Sequence, residues 1–204
     1  MKYSDFDLSH QNQNIESRIV ASLERISQAF RVLLWEESKE FSLSPIQVQV
    51  LIFLLHHPVE RRKVSYLAGE FNMTKATISD TVKALDQKKL IAKKAAPDDT
   101  RSYTIELNAK GKKIAEKASL FTGALRTPID KLSKDDKENL LLNLLDVIQH
   151  LHQTGIISIQ RMCSTCIHFE KGRQGEPHFC RLLNQKLTRA NLRVDCPEHE
   201  PVAG

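Results

Sequence analysis

Apolar residues recur at helical spacing through the first part of the chain. Between residues 12 and 40 the apolar positions are three or four residues apart, which predicts one long amphipathic helix. These positions are Ile15, Ile19, Leu23, Ile26, Phe30 and Leu33. A second apolar run follows Ser44, Pro45 and Gln47 and stops at Pro58. A serine, a proline and a glutamine in that order are typical of a capped helix start, so the run predicts a second, buried helix.

The next part of the chain predicts two short helices followed by a β-hairpin. Residues 64–71 have helical spacing and end at Asn72, and a second helix begins at Thr74. Its inward positions are Ile78, Val82 and Leu85. Apolar and polar residues then alternate over residues 102–108, after a Pro-Asp-Asp turn. That two-residue period predicts a hairpin over residues 91–108.

Two further helices complete the predicted secondary structure. A lysine-rich helix runs from residue 109 to about residue 132. The last helix begins after Ser133 and has acidic residues in its first turn, as the helix dipole prefers. Gly155 is predicted to end it.

Two short helices and a hairpin with a basic tip form a winged helix-turn-helix, whose second helix enters the DNA major groove. With its apolar residues turned inward, that helix presents hydroxyls and lysines, which contact phosphates and base edges. The candidate DNA-binding residues are Thr74, Lys75, Thr77, Ser79, Thr81 and Lys83, with Lys93, Lys94 and Arg101 in the wing, and Lys88 and Lys89 extend the basic strip. The net charge of +5 suits a double-stranded DNA partner. The alternative is that these are ordinary surface residues that keep the protein soluble and do not bind DNA.

The segment "MTKATISDTVKALDQKKLIAKKAAPDDTRSYTIELNAKGKKIAEK" resembles the DNA-binding core of MarR-type regulators. Its wing carries "DDTRS", and "LNAKG" follows where that family has Leu-Thr-x-x-Gly. The resemblance extends over residues 12–155. It implies an obligate homodimer with interleaved first and last helices that binds a pseudo-palindromic operator, usually as a repressor. It also implies that Arg101 enters the minor groove and that Asp99 holds Arg101 in place.

Two residues depart from the family pattern. Asp80 stands where the family often carries an arginine, and Lys89 where it often has a glycine. A carboxylate is repelled by phosphate but can accept a hydrogen bond from cytosine N4. Asp80 therefore either alters the operator that is read or pairs with Lys83 or Lys75 away from the DNA.

The apolar stripes of the first and last long helices are too extensive for a small winged domain to cover. A two-fold dimer would bury them and would place two recognition helices about one DNA turn apart. An intramolecular helical bundle is the alternative.

All four cysteines lie in the last fifth of the chain, with the spacing C-x2-C-x13-C-x15-C: Cys163, Cys166, Cys180 and Cys196. The sequence has no signal-peptide or membrane-span pattern, so we expect a cytoplasmic protein without a membrane partner. Disulfides are rare in the cytoplasm, and grouped cysteines there more often bind metal. Four thiolates form a complete ligand set, and a metal would help so short a segment to fold. Unconnected thiols or a redox disulfide are the alternative.

The cysteine spacing leaves two metal centres open. Structural zinc commonly takes two C-x-x-C pairs, and this chain has one. Iron–sulfur clusters accept asymmetric spacing and often have a proline after the last cysteine, as Pro197 follows Cys196. The pattern favours an iron–sulfur cluster, with Zn²⁺ as the alternative. Three nearby histidines could each replace a ligand or lie outside the centre: His168, His178 and His199.

An iron–sulfur centre would make the tail a redox or iron sensor. Because the tail follows the last helix, its refolding is expected to alter the distance between recognition helices. A zinc centre would instead stabilise the tail or dock a partner, with a small-molecule effector bound in the cleft between the helices and the winged domain. No phosphate loop, H-E-x-x-H or G-x-S-x-G motif occurs, so the chain is predicted not to be an enzyme. A redox protein built on the cysteines is the alternative from another class.

The predicted fold class is therefore mainly α (α+β), a winged helix-turn-helix domain with long dimerisation helices and a small C-terminal extension in which four cysteines bind metal. Residues 1–157 form the winged helix domain. Its DNA-binding core spans about 44–108, and its dimerisation helices span about 12–40 and 109–155. The cysteine-rich tail spans residues 158–204.

Overall fold

The computed structural model describes residues 3–96, 99–173 and 176–202, and for residues 96 and 99–102 it describes the backbone but not the side chains. The helices are α1 (Leu8–Gln13), α2 (Ile15–Glu40), α3 (Pro45–His56), α4 (Val64–Glu70), α5 (Lys75–Gln87), α6 (Ala109–Ala118), α7 (Gly123–Asp130) and α8 (Lys134–Gln153). The strands are β1 (Ile91–Ala96), β2 (Asp99–Leu107), β3 (Phe169–Glu170), β4 (His178–Cys180) and β5 (Gln185–Leu187). Over the described residues the chain is mainly helical with two small sheets, which confirms the predicted class.

Side-chain caps begin the helices where the sequence predicts them. The Ser44 hydroxyl accepts a hydrogen bond from the Gln47 amide, and the Gln47 side chain accepts one from the Ser44 amide. Thr74 and Ser133 cap α5 and α8 in the same way. Each cap pairs an amide at the helix start that has no partner within the helix.

The core of the winged domain surrounds α3, which is buried along most of its length. Its Leu51 and Leu54 are fully buried, as are Ile78 of α5 and Ile105 of β2. The inward positions predicted for α5 are all completely buried: Ile78, Val82 and Leu85. This core fixes α5 and leaves its opposite side exposed.

Two tight joins set the geometry of the helix-turn-helix and of the wing. Asn72, between α4 and α5, has a φ of 49°. Lys89, just before β1, has a φ of 56°, which explains why a glycine suits that position. The hairpin then pairs β1 with β2 in antiparallel register, with Ile91 opposite Leu107.

Two predicted helices are divided in the structure. The first helix starts again at Asn14, which caps α2 and separates it from α1. The helix predicted from residue 109 to about 132 stops at Ala118, and a turn leads to α7. The turn brings Phe121 against the core, with its ring centre 6.4 Å from that of Phe30. Burial of this aromatic side chain therefore outweighs helix continuity.

The long helices have apolar surface that the rest of the described chain does not cover. Exposed apolar residues on α2 include Ile15, Ile19, Ile26, Phe30 and Trp35. Leu140, Leu144 and Val147 are exposed on α8. None of the helices within the described ranges is long and apolar enough to span a membrane.

The tail folds around a three-stranded antiparallel sheet in the order β3-β4-β5. Cys180 lies at the end of β4, the central strand, opposite Phe169 of β3. Residues 156–162 connect α8 to this small sheet and pass over α4 on the way. The tail is therefore packed against the helix-turn-helix as well as joined to α8.

Candidate nucleic-acid interface and cysteine cluster

One side of α5 presents short hydroxyls and lysines to solvent. Thr74, Lys75, Thr77, Ser79 and Lys83 are all exposed. The Thr74 and Thr77 hydroxyl oxygens are 2.9 Å apart, and the Thr74 oxygen also accepts from the Thr77 amide at 3.1 Å. Asp80 is exposed in the same region of the helix. This surface has the donors and cations that bind phosphates and base edges.

The prediction that Thr81 belongs to this surface is wrong. Thr81 is only 7% exposed, and its hydroxyl donates to the Thr77 carbonyl at 2.9 Å. Position 81 is three residues after Ile78 and next to Val82, so it lies on the buried side of the helix. The back-bonded hydroxyl is satisfied inside the helix and does not face a ligand.

Two wing lysines are exposed and lie within ion pairs. Lys93 Nζ is 3.3 Å from a carboxylate oxygen of Asp86, and Lys94 Nζ is 2.7 Å from one of Glu106. Exposed pairs of this kind contribute little free energy, so both ammonium groups can exchange their partner for phosphate. Asp99 and Arg101 lie on β2, but their side chains are outside what the structure describes.

Comparison with known proteins identifies the winged region. Residues 41–102 match the profile of the MarR family. This region is therefore similar to a MarR-family domain. Curated proteins give no match to the sequence. MarR-family regulators are non-enzymatic DNA-binding transcription factors, which confirms the prediction that this chain is not an enzyme.

Solved structures of a MarR-family regulator resemble the chain. The MepR–DNA complex from S. aureus has a TM-score of 0.57 and 25% identity, covering 65% of this chain and 97% of that one. S. aureus MepR in a DNA-binding conformation has a TM-score of 0.58 and 25% identity, covering 65% and 98%. About a third of this chain has no counterpart in either structure.

The cysteines predicted to act together do lie together. Cys163, Cys166, Cys180 and Cys196 line one cavity, which is otherwise walled mainly by Phe169, Leu183 and Leu187. The cavity has a volume of about 20 Å³. All four cysteines are free thiols. The structure therefore brings three separate sequence segments to one small apolar cavity.

Arg193 is a polar side chain beside the cysteine cavity. Its backbone amide donates to Cys163 Sγ at 3.2 Å, and its guanidinium lies 3.2 Å from Cys196 Sγ. Burial raises the pKa of the Cys196 thiol, and the Arg193 guanidinium partly opposes that effect. Donors of this kind favour a thiolate over a thiol.

The structure also locates the neighbouring histidines. His168 lines the cysteine cavity. His178 accepts from the Gly172 amide at 3.1 Å through Nδ1, and His199 Nε2 is 3.0 Å from the Thr165 hydroxyl. In the part of the chain that the structure describes, no group of three or more His, Cys, Asp or Glu side chains is arranged to hold a metal ion.

The contact between the tail and the winged domain was not predicted. It is built on Arg161, which is only 6% exposed and bonds Glu70 of α4 and Asp195 of the tail. Burial by itself lowers the pKa of Arg161, but hydrogen bonds to Asp195 and Glu70 outweigh it and raise that pKa, so the guanidinium stays charged. His57 joins the same group, because its Nε2 is 3.0 Å from Asp195 Oδ2.

Proposed function

We propose that this chain is a transcription repressor that binds a pseudo-palindromic operator as a homodimer in the cytoplasm. The observation that carries the proposal is the exposed face of α5, where hydroxyls and lysines project opposite a completely buried apolar side. The MepR–DNA complex, whose fold this chain resembles, supports DNA as the partner of such a domain. Phosphate contacts from Lys75 and Lys83 would give affinity, and hydroxyls such as Ser79 would contact base edges or phosphates.

The uncovered apolar surface of the long helices supports the homodimer. Ile15 is 60% exposed and Ile19 54%, one helical turn apart on α2. Leu140, Leu144 and Val147 form a second exposed stripe on α8. Large apolar patches of this kind mark protein interfaces, and a two-fold interface also supplies two recognition helices for two half-sites.

We further propose that the four cysteines hold an iron–sulfur cluster. The cysteine cavity, about 20 Å³ in volume, has room for about one water molecule, so the chemistry of its ligands and not its size favours the cluster. Structural zinc commonly takes two C-x-x-C pairs, and this chain has one. An iron–sulfur cluster accepts cysteine-only ligands at asymmetric spacing, and the apolar side chains around these four cysteines suit it.

Such a centre would supply a redox- or iron-dependent change of charge. Cys163, Cys166, Cys180 and Cys196 would be its ligands, and Arg193 would donate hydrogen bonds to two of the sulfurs. Hydrogen bonds to cluster sulfurs tune the reduction potential. The tail would then report oxidation or iron supply to the DNA-binding domain.

A small-molecule effector is the second candidate signal, with zinc holding the tail together. A cleft of about 840 Å³ between α4, α8 and the tail favours it, lined by Tyr66, His152 and Arg161 among others. That volume is within the range of ligand pockets.

The DNA-binding proposal is tested by titrating the full chain with operator DNA selected from random duplexes at fixed salt. Arg101→Ala should weaken binding about 5- to 150-fold if the wing enters the groove, equivalent to about 1–3 kcal/mol. Arg126→Ala, on the exposed surface of α7, is the control and should bind like the wild type. Equal affinity of both variants would remove the wing from the interface.

The nature of the centre is tested by an absorption spectrum with iron, sulfide and zinc analysis on protein purified without oxygen. Visible absorption with stoichiometric iron and sulfide is expected. A colourless protein with one zinc per chain would show that the centre stabilises the tail and is not a redox sensor.

A further inference from the structure

The segment between α8 and the cysteine tail contacts the helix-turn-helix at three successive points. Ser158 donates from its amide and hydroxyl to Asn72 Oδ1, at 3.1 and 2.6 Å. Asn72 is the residue with positive φ that joins α4 to α5. We call residues 158–161 the strap. Its first contact therefore lies at the turn that sets the angle of the recognition helix.

The second strap contact is apolar. A Cβ on Gly69, near the end of α4, would lie 2.9 Å from Ile159 Cδ1. The end of the flexible Ile159 side chain therefore packs directly over the glycine. This contact adds apolar packing between the strap and α4 to the polar contact at Asn72.

The third contact is the strongest, because Arg161 is clamped between the two parts of the molecule. On one side it bonds both Glu70 carboxylate oxygens at 2.6 and 3.0 Å and the Tyr66 hydroxyl at 3.0 Å. On the other side it bonds both Asp195 oxygens at 2.5 and 2.8 Å. A planar guanidinium can make two such forked contacts at once, which a lysine cannot.

The backbone of Arg161 is tied to two of the four cysteines. Its carbonyl accepts from the Cys196 amide at 3.0 Å, next to the Asp195 carboxylate. Cys163 follows two residues later, and its amide donates to the Arg193 carbonyl at 3.3 Å. A shift of Cys163 or Cys196 would therefore act on the backbone next to the side chain that holds Glu70.

We propose that the strap couples the occupancy of the cysteine centre to the recognition helix, with Arg161 as the joint. The inference rests on the proposed function, and it replaces the expected route through α8 with a direct one across α4. An occupied centre fixes Cys163 and Cys196, keeps Arg161 on Glu70 and holds α4 and α5 in place. An empty centre releases the strap, so that the helix-turn-helix loosens and operator binding weakens.

The test uses the full chain with the centre rebuilt from ferrous iron and sulfide without oxygen, or from zinc if analysis finds zinc, and the same protein stripped of metal. Hydrogen exchange of the amides of residues 64–87 reports on the helix-turn-helix without DNA. In the wild type, loading should slow that exchange at least 10-fold and tighten operator binding at least 10-fold. In Arg161→Met, which still takes up the centre, both differences should fall below twofold.

Two more variants keep the test decisive. Glu70→Met removes one side of the clamp at similar side-chain length, because it has no oxygen to accept from Arg161, and it should reproduce the Arg161→Met result, including if Arg161→Met does not fold. Arg181→Met breaks an exposed tail ion pair with Glu170 and should behave as the wild type does.

The outcomes separate this inference from the proposed function. Exchange that does not respond to loading in the wild type, or a full response in both clamp variants, overturns the coupling. A protein that shows the exchange response but binds no DNA supports the coupling and refutes the proposed regulator.

Discussion

At the scale of single residues, a close backbone contact requires glycine at one position of the winged domain. Gly111, at the start of α6, is buried, and a Cβ there would lie 1.9 Å from the Leu90 carbonyl oxygen. Its amide is also paired by the cap of α6, because it donates to Asn108 Oδ1 at 2.8 Å. The glycine lets α6 begin directly against the residue that precedes β1, which sets the position of the wing.

We predict that Gly111→Ala destabilises the protein by about 1–3 kcal/mol, because the backbone of Leu90 must move to admit the methyl group. Gly123→Ala is the control, since a Cβ there has no neighbour within 4 Å. Urea unfolding measures both variants. A Gly111→Ala protein as stable as Gly123→Ala would show that α6 and β1 are not in such close contact.

At the scale of helices and strands, local signals predict where elements begin. The caps at Ser44, Thr74 and Ser133 were readable because each satisfies its amides within three residues. The break after Ala118 was not, because it follows from the packing of Phe121 on a core built elsewhere. Thr81 was misplaced because a hydroxyl can be satisfied on the buried side of a helix.

One part of the candidate site could likewise be predicted from the sequence and another part could not. The C-x-x-C spacing indicated the cysteine cluster from sequence alone. The contact of the tail with α4 gave no sequence signal, because Arg161 lies 91 residues after Glu70 and 34 before Asp195. No period or motif links positions so far apart.

The proposed role of α5 as the recognition helix leads to a separate prediction. Lys83→Ala should weaken binding of all duplex sequences by a similar factor and reduce the salt slope by about one, because Lys83 would neutralise one phosphate. Lys113→Ala removes the same charge from the exposed side of α6 and should leave that slope unchanged. Affinities measured across a series of salt concentrations compare the two. Equal slopes for both variants would mean that α5 does not face the phosphate backbone.

At the scale of the whole molecule, α8 carries two different apolar sides. Leu142 and Leu145 line a cleft of about 380 Å³ against the tail. Leu140, Leu144 and Val147 are exposed and point away from that cleft around the helix. One helix is thus able to hold the tail with one side and a second copy of the chain with the other.

We predict that Leu144→Glu prevents the proposed homodimer from forming, because a carboxylate in an apolar interface loses its hydration without gaining a partner. A monomer carries one recognition helix, so it should also bind a two-half-site operator at least 10-fold more weakly. Asn139→Glu adds the same charge to an exposed position on α8 outside the stripe and should remain dimeric. Sedimentation velocity of the two variants and the wild type gives the answer. A wild-type chain that sediments as a monomer would show that the exposed stripes of α2 and α8 serve another partner, and that the two half-sites are not bound by two copies of this chain.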